Sequence, residues 1–519
     1  MHLTAAIHRD AREQPHQPAT ICGDRIRTRA ELKDRVSRLA AALRGFGIRD
    51  GERIGILSMN SDRYIEYIFA TLWAGGVLNA VNIRWSAKEI AFSLDDCDTR
   101  VLLVDDSFAP MVPELRRLSQ KLETVIYMSE GSAPAPEGSH DYERLIATHD
   151  PCEDALRGGS DLAAIFYTGG TTGTPKGVML SHQNLMMDAL GLTAGADHGG
   201  SAPGLHVAPL FHIGGMAVVV QFSLRRAPHV LIPAFDAAET LRLIEKWKIG
   251  DIFTVPTMLR RLIDHPDHAI RDTSSLRSIR YGAAPIDQTL LQAAMKAFPS
   301  AGFLQVYGQT EASPVVAALA PELHTADPSV RHMASAGRSI PTAEITIRDE
   351  EDREVPPGTV GEICVRGPTV MLGYWNRPEE TAHALRTGWL HTGDAGMMDE
   401  EGFVYVVDRV KDIIITGGEN VYSTEVENVL ARHPAVQFCA VIGVPDPEWG
   451  ERVHAVLVLH EGQSASEAEF KALCKAEIAG FKCPRSFEFR SEMPLSPAGK
   501  ILKRELRESF WQGQSRRVG

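Results

Sequence analysis

The chain has 519 residues, a mass of 56.8 kDa and a formal net charge of −13, with 44% hydrophobic and 23% charged residues. These values are typical of a globular protein with room for several domains of roughly 100–200 residues, and they exclude disordered, collagen-like and coiled-coil chains. The acidic balance disfavours nucleic acid as a partner. The seven cysteines form no C-x-x-C pair, and no stretch approaches the ~18–20 apolar residues of a transmembrane segment. We therefore expect a cytoplasmic protein.

Short β-rich runs alternate with amphipathic helical stretches along the chain. The segment 28–46 is predicted to be a helix, because Thr28 and Glu31 form a capping box and apolar residues recur on one face. The predicted buried strands are 53–58, 101–105, 162–167, 252–255 and 279–282. Alternation of this kind predicts an α/β protein whose sheets are largely parallel.

The organisation of the chain changes near residue 410. A predicted strand, FVYVV, is followed by the residues DRVKD and by a second short strand, IIIT. Beyond them, Thr424 and Glu427 are predicted to cap a helix. We therefore predict a large N-terminal domain over residues 1–410 and a smaller α+β domain over residues 411–519.

The segment YTGGTTGTPKG, residues 167–177, is rich in the groups that bind phosphate. Its glycines let backbone N–H groups converge on an anion, its hydroxyls add donors, and its lysine adds a positive charge. Pro175 and Gly177 differ from the residues that flank the lysine of a Walker A loop. A plain polar turn is the alternative, although such a turn needs fewer glycines. The predicted phosphate-binding residues are Thr168, Gly169, Gly170, Thr171, Thr172, Gly173, Thr174 and Lys176.

This loop resembles the phosphate-binding loop of the adenylate-forming (ANL) superfamily, which includes acyl- and aryl-CoA synthetases, firefly luciferase and peptide-synthetase adenylation domains. Gly169 stands where the family usually has serine. Further motifs follow in the family's order, namely GAAP at 282–285, YGQTE at 307–311, TGD at 392–394, DRVKD at 408–412 and GK at 499–500. The resemblance implies an N-terminal domain of α/β subdomains with a β-barrel-like subdomain, and a mobile C-terminal α+β lid domain.

The resemblance also implies a nucleotide site. Glu311 would hold Mg²⁺, for which a carboxylate oxygen is a suitable hard ligand, and Thr310 would contact the α-phosphate. Asp394 and Arg409 would contact the ribose. The residues implied to bind AMP are Gly282, Ala283, Ala284, Tyr307, Gly308, Thr310, Asp394 and Arg409.

Two lysines fall at positions that the family uses for catalysis and for domain movement. Lys500 would contact the carboxylate and the α-phosphate during adenylation, and Lys411 would be the hinge of the lid domain. The implied catalytic set is Lys500, Thr168 and Glu311. In the implied reaction a carboxylic acid attacks the α-phosphate of ATP and releases pyrophosphate, and the thiol of coenzyme A then displaces AMP. Positive charge at the phosphates stabilises the transition state of the first step.

The segment PLFHIGG lies where the family lines its acid pocket, and the implied pocket residues are His212, Gly215 and Gln309. The segment has no aspartate to pair an amino group and an apolar run follows it, so we expect a fatty or aryl acid. The residues implied to bind CoA are Gly417, Gly418 and Trp449. An acyl- or aryl-CoA ligase is the leading interpretation. An adenylation enzyme that loads a carrier protein and a nucleotide-binding pseudoenzyme are the alternatives, and the sequence leaves a homodimer open.

Overall fold

The computed structural model shows a large N-terminal domain followed by a smaller C-terminal domain, each with its own sheets. The residues that the structure describes are 1–131, 133–168, 175–195, 200–284, 286, 288–325, 327, 330–409, 412–495 and 501–511.

The described strands, numbered in chain order, are β1 (Pro18–Cys22), β2 (Arg25–Thr28), β3 (Arg53–Leu57), β4 (Val77–Ala80), β5 (Val101–Asp105), β6 (Thr124–Met128), β7 (His140–Asp141), β8 (Leu162–Thr168), β9 (Lys176–Ser181), β10 (Gly204–His206), β11 (His229–Leu231), β12 (Asp251–Thr254), β13 (Ser278–Gly282), β14 (Gly302–Gly308), β15 (Val315–Leu319), β16 (Arg338–Ser339), β17 (Glu344–Arg348), β18 (Gly361–Arg366), β19 (Gly373–Tyr374), β20 (Leu390–Met398), β21 (Val404–Arg409), β22 (Ile414–Thr416), β23 (Glu419–Val421), β24 (Val436–Asp446), β25 (Gly450–Leu459) and β26 (Ser486–Arg490).

The described α-helices are α1 (Ala5–Glu13), α2 (Arg29–Gly45), α3 (Asp62–Trp73), α4 (Ala87–Asp96), α5 (Val112–Leu118), α6 (Tyr142–Thr148), α7 (His182–Gly195), α8 (Ile213–Arg225), α9 (Ala237–Trp247), α10 (Pro256–Asp264), α11 (Gln288–Ala297), α12 (Pro378–Ala384), α13 (Ser423–Leu430), α14 (Glu467–Glu477) and α15 (Lys503–Glu508). Within the described ranges, no helix combines the length and the apolar composition that crossing a membrane requires.

Two large sheets form most of the N-terminal domain. Their strand orders are β19-β9-β8-β4-β3-β5-β6-β7 and β16-β15-β14-β13-β12-β10-β11-β1-β2. The central strands of both sheets run parallel. Antiparallel pairs lie at both ends of the nine-stranded sheet and at the β9–β19 end of the eight-stranded sheet, whereas β7 at its other end pairs parallel with β6. A four-stranded antiparallel sheet, β17-β18-β20-β21, follows, and the C-terminal domain contains a sheet formed by β22 to β26. The predicted α/β fold with a smaller C-terminal domain is confirmed.

Local sequence signals located one helix start correctly and another wrongly. In α2 the Thr28 and Glu31 side chains form the predicted capping box. The predicted cap at Thr424 and Glu427 is wrong, because α13 already begins at Ser423. The reason is a tertiary contact: Asp408 Oδ2 accepts hydrogen bonds from the Ser423 backbone N–H and hydroxyl, both at 2.6 Å. A carboxylate from another element therefore replaces the local N-cap.

A charged network is buried between α8 and the second large sheet. Asp251 of β12 pairs with Arg225 at 2.6 Å and with Arg280 at 2.9 Å. Arg280 also donates to Gln221 of α8, and its residue surface is only 1% exposed. A buried charge without a partner costs free energy of folding. The Asp251 carboxylate offsets part of this cost for both guanidinium groups.

Buried histidines link the stability of the N-terminal domain to pH. His206 Nε2 and His229 Nδ1 lie 2.9 Å apart between β10 and β11, and both residues are buried. Burial lowers the pKa of His206 well below its usual range and lowers the pKa of His229 to about 3. The unfolded chain takes up protons on these groups near pH 6.5, roughly the ordinary pKa of histidine, whereas the folded chain does not. The free energy of unfolding should therefore fall as the pH drops below about 6.5.

We expect His229→Gln to reduce this pH dependence by up to about 1.4 kcal/mol per pH unit, the contribution of one proton. The measurement is urea unfolding between about pH 4 and pH 7, a range set by the ordinary histidine pKa. The exposed His140→Gln is the matched control. Equal slopes for the wild type and His229→Gln would contradict the expectation.

Candidate active site

The predicted phosphate-binding loop connects two antiparallel strands. Thr168, the last residue of β8, pairs with Lys176, the first residue of β9. The loop residues Gly169, Gly170, Thr171, Thr172, Gly173 and Thr174 lie outside the described residues. Lys176 Nζ lies 5.2 Å from the centre of the Tyr374 ring, which β19 brings beside β9. The structure thus fixes the two ends of the loop and the position of its lysine.

The buried carboxylate of Asp394 is the centre of a polar cluster. Tyr307 donates a hydrogen bond to Oδ2 at 2.8 Å, and Arg409 Nε lies 2.7 Å from Oδ1. Tyr307 comes from β14, whereas Asp394 and Arg409 are paired residues of β20 and β21. The Asp394 charge raises the pKa of Arg409. Two residues predicted to contact AMP, Tyr307 and Arg409, therefore both contact a third, Asp394.

Glu311 lies on a short 3₁₀ helix, Thr310–Ala312, that directly follows β14. Tyr374 donates a hydrogen bond to Glu311 Oε1 at 3.0 Å, and the Glu311 backbone carbonyl accepts from Met371 N–H. Burial raises the pKa of the Glu311 carboxyl. Because a nearby cation favours the charged form of such a group, and because a carboxylate is a hard oxygen ligand, Glu311 fits the predicted role of a magnesium ligand.

The predicted adenine segment lies at the end of β13. A Cβ at Gly282 would lie 2.3 Å from the carbonyl oxygen of Val306, so a side chain there would push β13 away from β14. Gly308 has φ +156°, and its Cβ would lie 1.8 Å from the carbonyl oxygen of Pro314. Ala283 is exposed, and Ala284 is half-buried. Small residues at these positions keep the backbone accessible to a flat ring.

His212 immediately precedes α8, and its ring centre lies 4.3 Å from that of Phe211. A Cβ at Gly215 would lie 2.3 Å from the Pro209 carbonyl oxygen, so this glycine lets the helix start pack against the preceding turn. Gln309 directly precedes the helix that carries Glu311. The predicted pocket residues thus lie at the ends of α8 and β14.

The apolar run after His212 divides between two faces of α8. Met216 and Val220 pack into the main core of the N-terminal domain. Val218 faces Phe253 of β12 on the other side of the helix. Because an α-helix has 3.6 residues per turn, consecutive residues of one apolar run lie on different faces of α8. The run alone therefore does not show which residues share a face.

In the C-terminal domain the structure brings together two of the residues predicted to bind CoA. The Gly417 N–H donates to the Trp449 carbonyl at 2.9 Å, and a Cβ at Gly417 would lie 2.6 Å from the Trp449 ring. Gly418 follows with φ +85°. The Arg485 guanidinium lies 4.7 Å from the centre of the same indole, which is 38% exposed. Sequence reasoning missed Arg485 because it joins the cluster only through the pairing of β25 with β26.

Lys411 and Lys500 lie outside the described residues. The chain after Lys500 is nevertheless held firmly, because Lys503 of α15 pairs with Glu427 of α13 at 2.8 Å. Tyr374 is a further residue of the site that the motifs did not identify, and no periodic pattern marks its two-residue strand.

Comparison with known proteins identifies the family of the chain. Residues 7–375 match the AMP-binding enzyme family, and residues 425–500 match the AMP-binding enzyme C-terminal domain. The chain is 38% identical to fatty acid–[acyl-carrier-protein] ligase ScoC of Streptomyces coeruleorubidus, over 99% of this chain and 97% of the relative. It is 38% identical to a feruloyl-CoA synthase of an Amycolatopsis species, over 97% and 98% of the two chains. The solved amide bond synthetase McbA from Marinactinospora thermotolerans has a TM-score of 0.87 and 30% identity, over 98% and 100% of the two chains.

The fold and the site thus define an adenylate-forming enzyme. The chain belongs to the AMP-binding enzyme family, within the acyl- and aryl-CoA ligase branch of the ANL superfamily. It is an AMP-forming acid–thiol ligase.

The position of Glu311 generates a test of its role. We expect Glu311→Gln to slow pyrophosphate release about 10- to 100-fold, the usual range for disturbing the ligand environment of a metal. The affinity for AMP should change little, because AMP needs no metal bridge between phosphates. Pyrophosphate release and calorimetric AMP binding are the two measurements. The exposed Glu322→Gln is the control, and equal losses in both quantities would show that Glu311 is structural instead.

Proposed function

We propose that this enzyme joins a fatty or aryl carboxylic acid to coenzyme A. The acid's carboxylate attacks the α-phosphate of ATP, so that an acyl-adenylate forms and pyrophosphate leaves. The CoA thiolate then attacks the acyl carbon, and AMP leaves. Adenylation is needed because a carboxylate is a poor electrophile, whereas AMP is a good leaving group.

The observation that carries this proposal is the Asp394 carboxylate, which accepts a hydrogen bond from Tyr307 and forms an ion pair with Arg409, near Glu311. Asp394 has two carboxylate oxygens, which suits a role as acceptor for both ribose hydroxyls. Arg409 supplies a positive charge next to them. In the proposal Glu311 holds Mg²⁺, and Thr168 and Lys176 hold phosphate oxygens from the opposite side.

The proposed acid is apolar beyond its carboxylate. Val218 on α8 packs against Phe253 of β12, so the helix that follows His212 is apolar on this face. An amino acid would leave an ammonium group unpaired there, at a cost of several kcal/mol. The names of two relatives, a fatty acid ligase and a feruloyl-CoA synthase, support an acid from one of these two classes.

The acceptor has two candidates. The cluster of Gly417, Trp449 and Arg485 favours CoA, since an exposed indole provides a stacking surface for adenine and the guanidinium provides charge for a phosphate. A carrier protein is the second candidate, because the relative ScoC is named as a ligase that acts on an acyl-carrier protein. Both acceptors would present a thiol to the same adenylate.

The lid domain is proposed to turn about Lys411 between the two steps, with the domain boundary at residues 410 and 411. Lys500 would line the site during adenylation. The turn would then bring Gly417 and Trp449 toward the thiol acceptor. Such a movement requires only a few residues to change φ and ψ.

A panel of acids and acceptors tests the proposed function. AMP release with CoA should be faster with octanoate or a cinnamate than with acetate or amino acids. Trp449→Ala should raise the KM for CoA about tenfold, as expected for loss of one stacking contact. The KM for pantetheine, which lacks the nucleotide, should not change. The control is Phe481→Ala, because Phe481 is 39% exposed in the same domain.

Two results would change the proposal. Faster transfer to a phosphopantetheinylated carrier protein than to CoA would make the carrier protein the acceptor. A preference for acetate or an amino acid would show that the acid pocket is not apolar.

The two lysines allow the half-reactions to be separated. Lys500→Ala should slow adenylate formation by ~10²–10³, as removal of one transition-state donor does. Supplied with acyl-adenylate and CoA, this variant should form the thioester at the normal rate. Lys411→Pro should do the reverse, because proline fixes φ near roughly −65° and stiffens the hinge.

Single-turnover kinetics of each half-reaction is the measurement. Lys475→Ala, an exposed lysine of the same domain, is the control and should slow neither step. If Lys500→Ala and Lys411→Pro each slow both steps equally, the proposed domain alternation is wrong.

A further inference from the structure

Asp394 lies on a bulge of the four-stranded sheet. Between the pairs Glu362↔Ala395 and Cys364↔His391, β18 contributes one residue, whereas β20 contributes the three residues 392–394. Gly393 in the middle of the bulge has φ +71°. A bulge redirects the side chains that it carries, so the direction of the Asp394 carboxylate depends on the contacts that hold the bulge.

Two side chains hold this bulge in place. Thr392 donates from its hydroxyl to the Ile363 carbonyl at 2.7 Å and accepts from the Asp394 N–H at 3.1 Å. Glu362 Oε1 accepts a hydrogen bond from the Gly393 N–H at 2.9 Å. These two residues are not paired in the β18–β20 ladder, in which Glu362 lies opposite Ala395. The Glu362 carboxylate therefore replaces the ladder hydrogen bond that the bulge removes.

The orientation of Glu362 is itself fixed. His391 Nδ1 donates to Glu362 Oε2 at 2.8 Å, and the His391 side chain is only 4% exposed. Arg386 pairs with the same oxygen at 3.1 Å. One carboxylate oxygen thus faces the bulge, while the other is held by an imidazole and a guanidinium.

We propose that Glu362, oriented by His391, is a positioning residue that directs Asp394 toward the ribose of ATP. The inference rests on the proposed function, in which Asp394 accepts from the ribose hydroxyls. Glu362 touches no substrate and acts through the Gly393 N–H. Because glycine has wide conformational freedom, this hydrogen bond keeps the bulge in a single conformation.

A metal site is the competing interpretation of the same residues. Donor atoms of Glu362, Cys364 and His391 all lie within 4.8 Å of one another. Both oxygens of Glu362 already accept hydrogen bonds, and the Arg386 cation lies beside one of them. A second cation at this position would be repelled by the guanidinium, so the contacts favour a hydrogen-bonded cluster.

The test compares ATP with 2′,3′-dideoxy-ATP, which lacks both ribose hydroxyls, by calorimetric binding to the full chain. Glu362→Leu removes the acceptor and should lower the affinity ratio between the two nucleotides about tenfold, the size expected for a hydrogen bond to a charged group. Affinity for the dideoxy nucleotide should not change. Glu362→Gln keeps an acceptor oxygen and should retain most of the ratio. Glu344→Leu is the control, because Glu344 pairs with Arg366 in the same sheet at 2.6 Å, away from the bulge.

Other results would contradict the ribose contact of Asp394, the positioning role of Glu362 or the absence of a metal. Asp394→Asn must itself reduce the ratio; if it does not, the proposed ribose contact fails, and this failure is distinct from that of Glu362. If Asp394→Asn reduces the ratio and Glu362→Leu does not, or if Glu362→Leu weakens both nucleotides equally, the positioning role is wrong.

His391→Leu should also reduce the ratio and provides a second route if Glu362→Leu does not fold. One equivalent of zinc that is bound by the wild type and lost in Glu362→Gln would overturn the inference in favour of a metal site.

Discussion

The Asp394 carboxylate is the contact on which the rest of the site depends. Its two oxygens are held by Tyr307 from the nine-stranded sheet and by Arg409 from the four-stranded sheet. A carboxylate removed from water is stable only when its charge is paired and its lone pairs are used. The same interaction therefore satisfies a buried charge and joins two sheets whose strands are far apart in sequence. A nucleotide bound here would contact both sheets at once.

A second chain of contacts connects the phosphate-binding loop to the predicted metal ligand. The two-residue strand β19 pairs with β9 and so brings Tyr374 to Lys176. The hydroxyl of Tyr374 then donates to Glu311, which extends from the end of β14. Tyr374 therefore contacts both Lys176, which is proposed to bind phosphate, and Glu311, which is proposed to bind Mg²⁺. The end of one large sheet, at β19, and the end of a strand of the other, at β14, thus bring these side chains together.

Sequence reasoning succeeded where the signal is local or carried by a dense motif. The capping box of α2 needed only neighbouring residues, and the series of motifs was enough to identify the family. The roles that the resemblance implies for Asp394 and Arg409 stay predictions. Sequence reasoning failed where a contact spans the fold. Glu362 and Tyr374 enter the site through strand pairing, and the predicted cap of α13 was wrong because Asp408 supplies the acceptor from another element. Such contacts leave no periodic trace in the sequence.

The end of β21 relates the nucleotide site to the smaller domain. Successive residues of a strand point to opposite faces. Arg409 points to Asp394. Asp408 points the other way and accepts a hydrogen bond from Ser423, the first residue of α13. The Ser423 hydroxyl also accepts a hydrogen bond from Lys503 of α15. Two adjacent residues therefore contact the proposed ribose site on one face and the C-terminal domain on the other. If that domain turns about residue 411, as we propose, the pivot lies two residues from Arg409, the arginine that we propose contacts the ribose. The Asp408–Ser423 contact joins residues on either side of residue 411, so a turn about that residue would have to keep this hydrogen bond or break it. The proposed movement is therefore coupled to β21, the strand that carries Arg409.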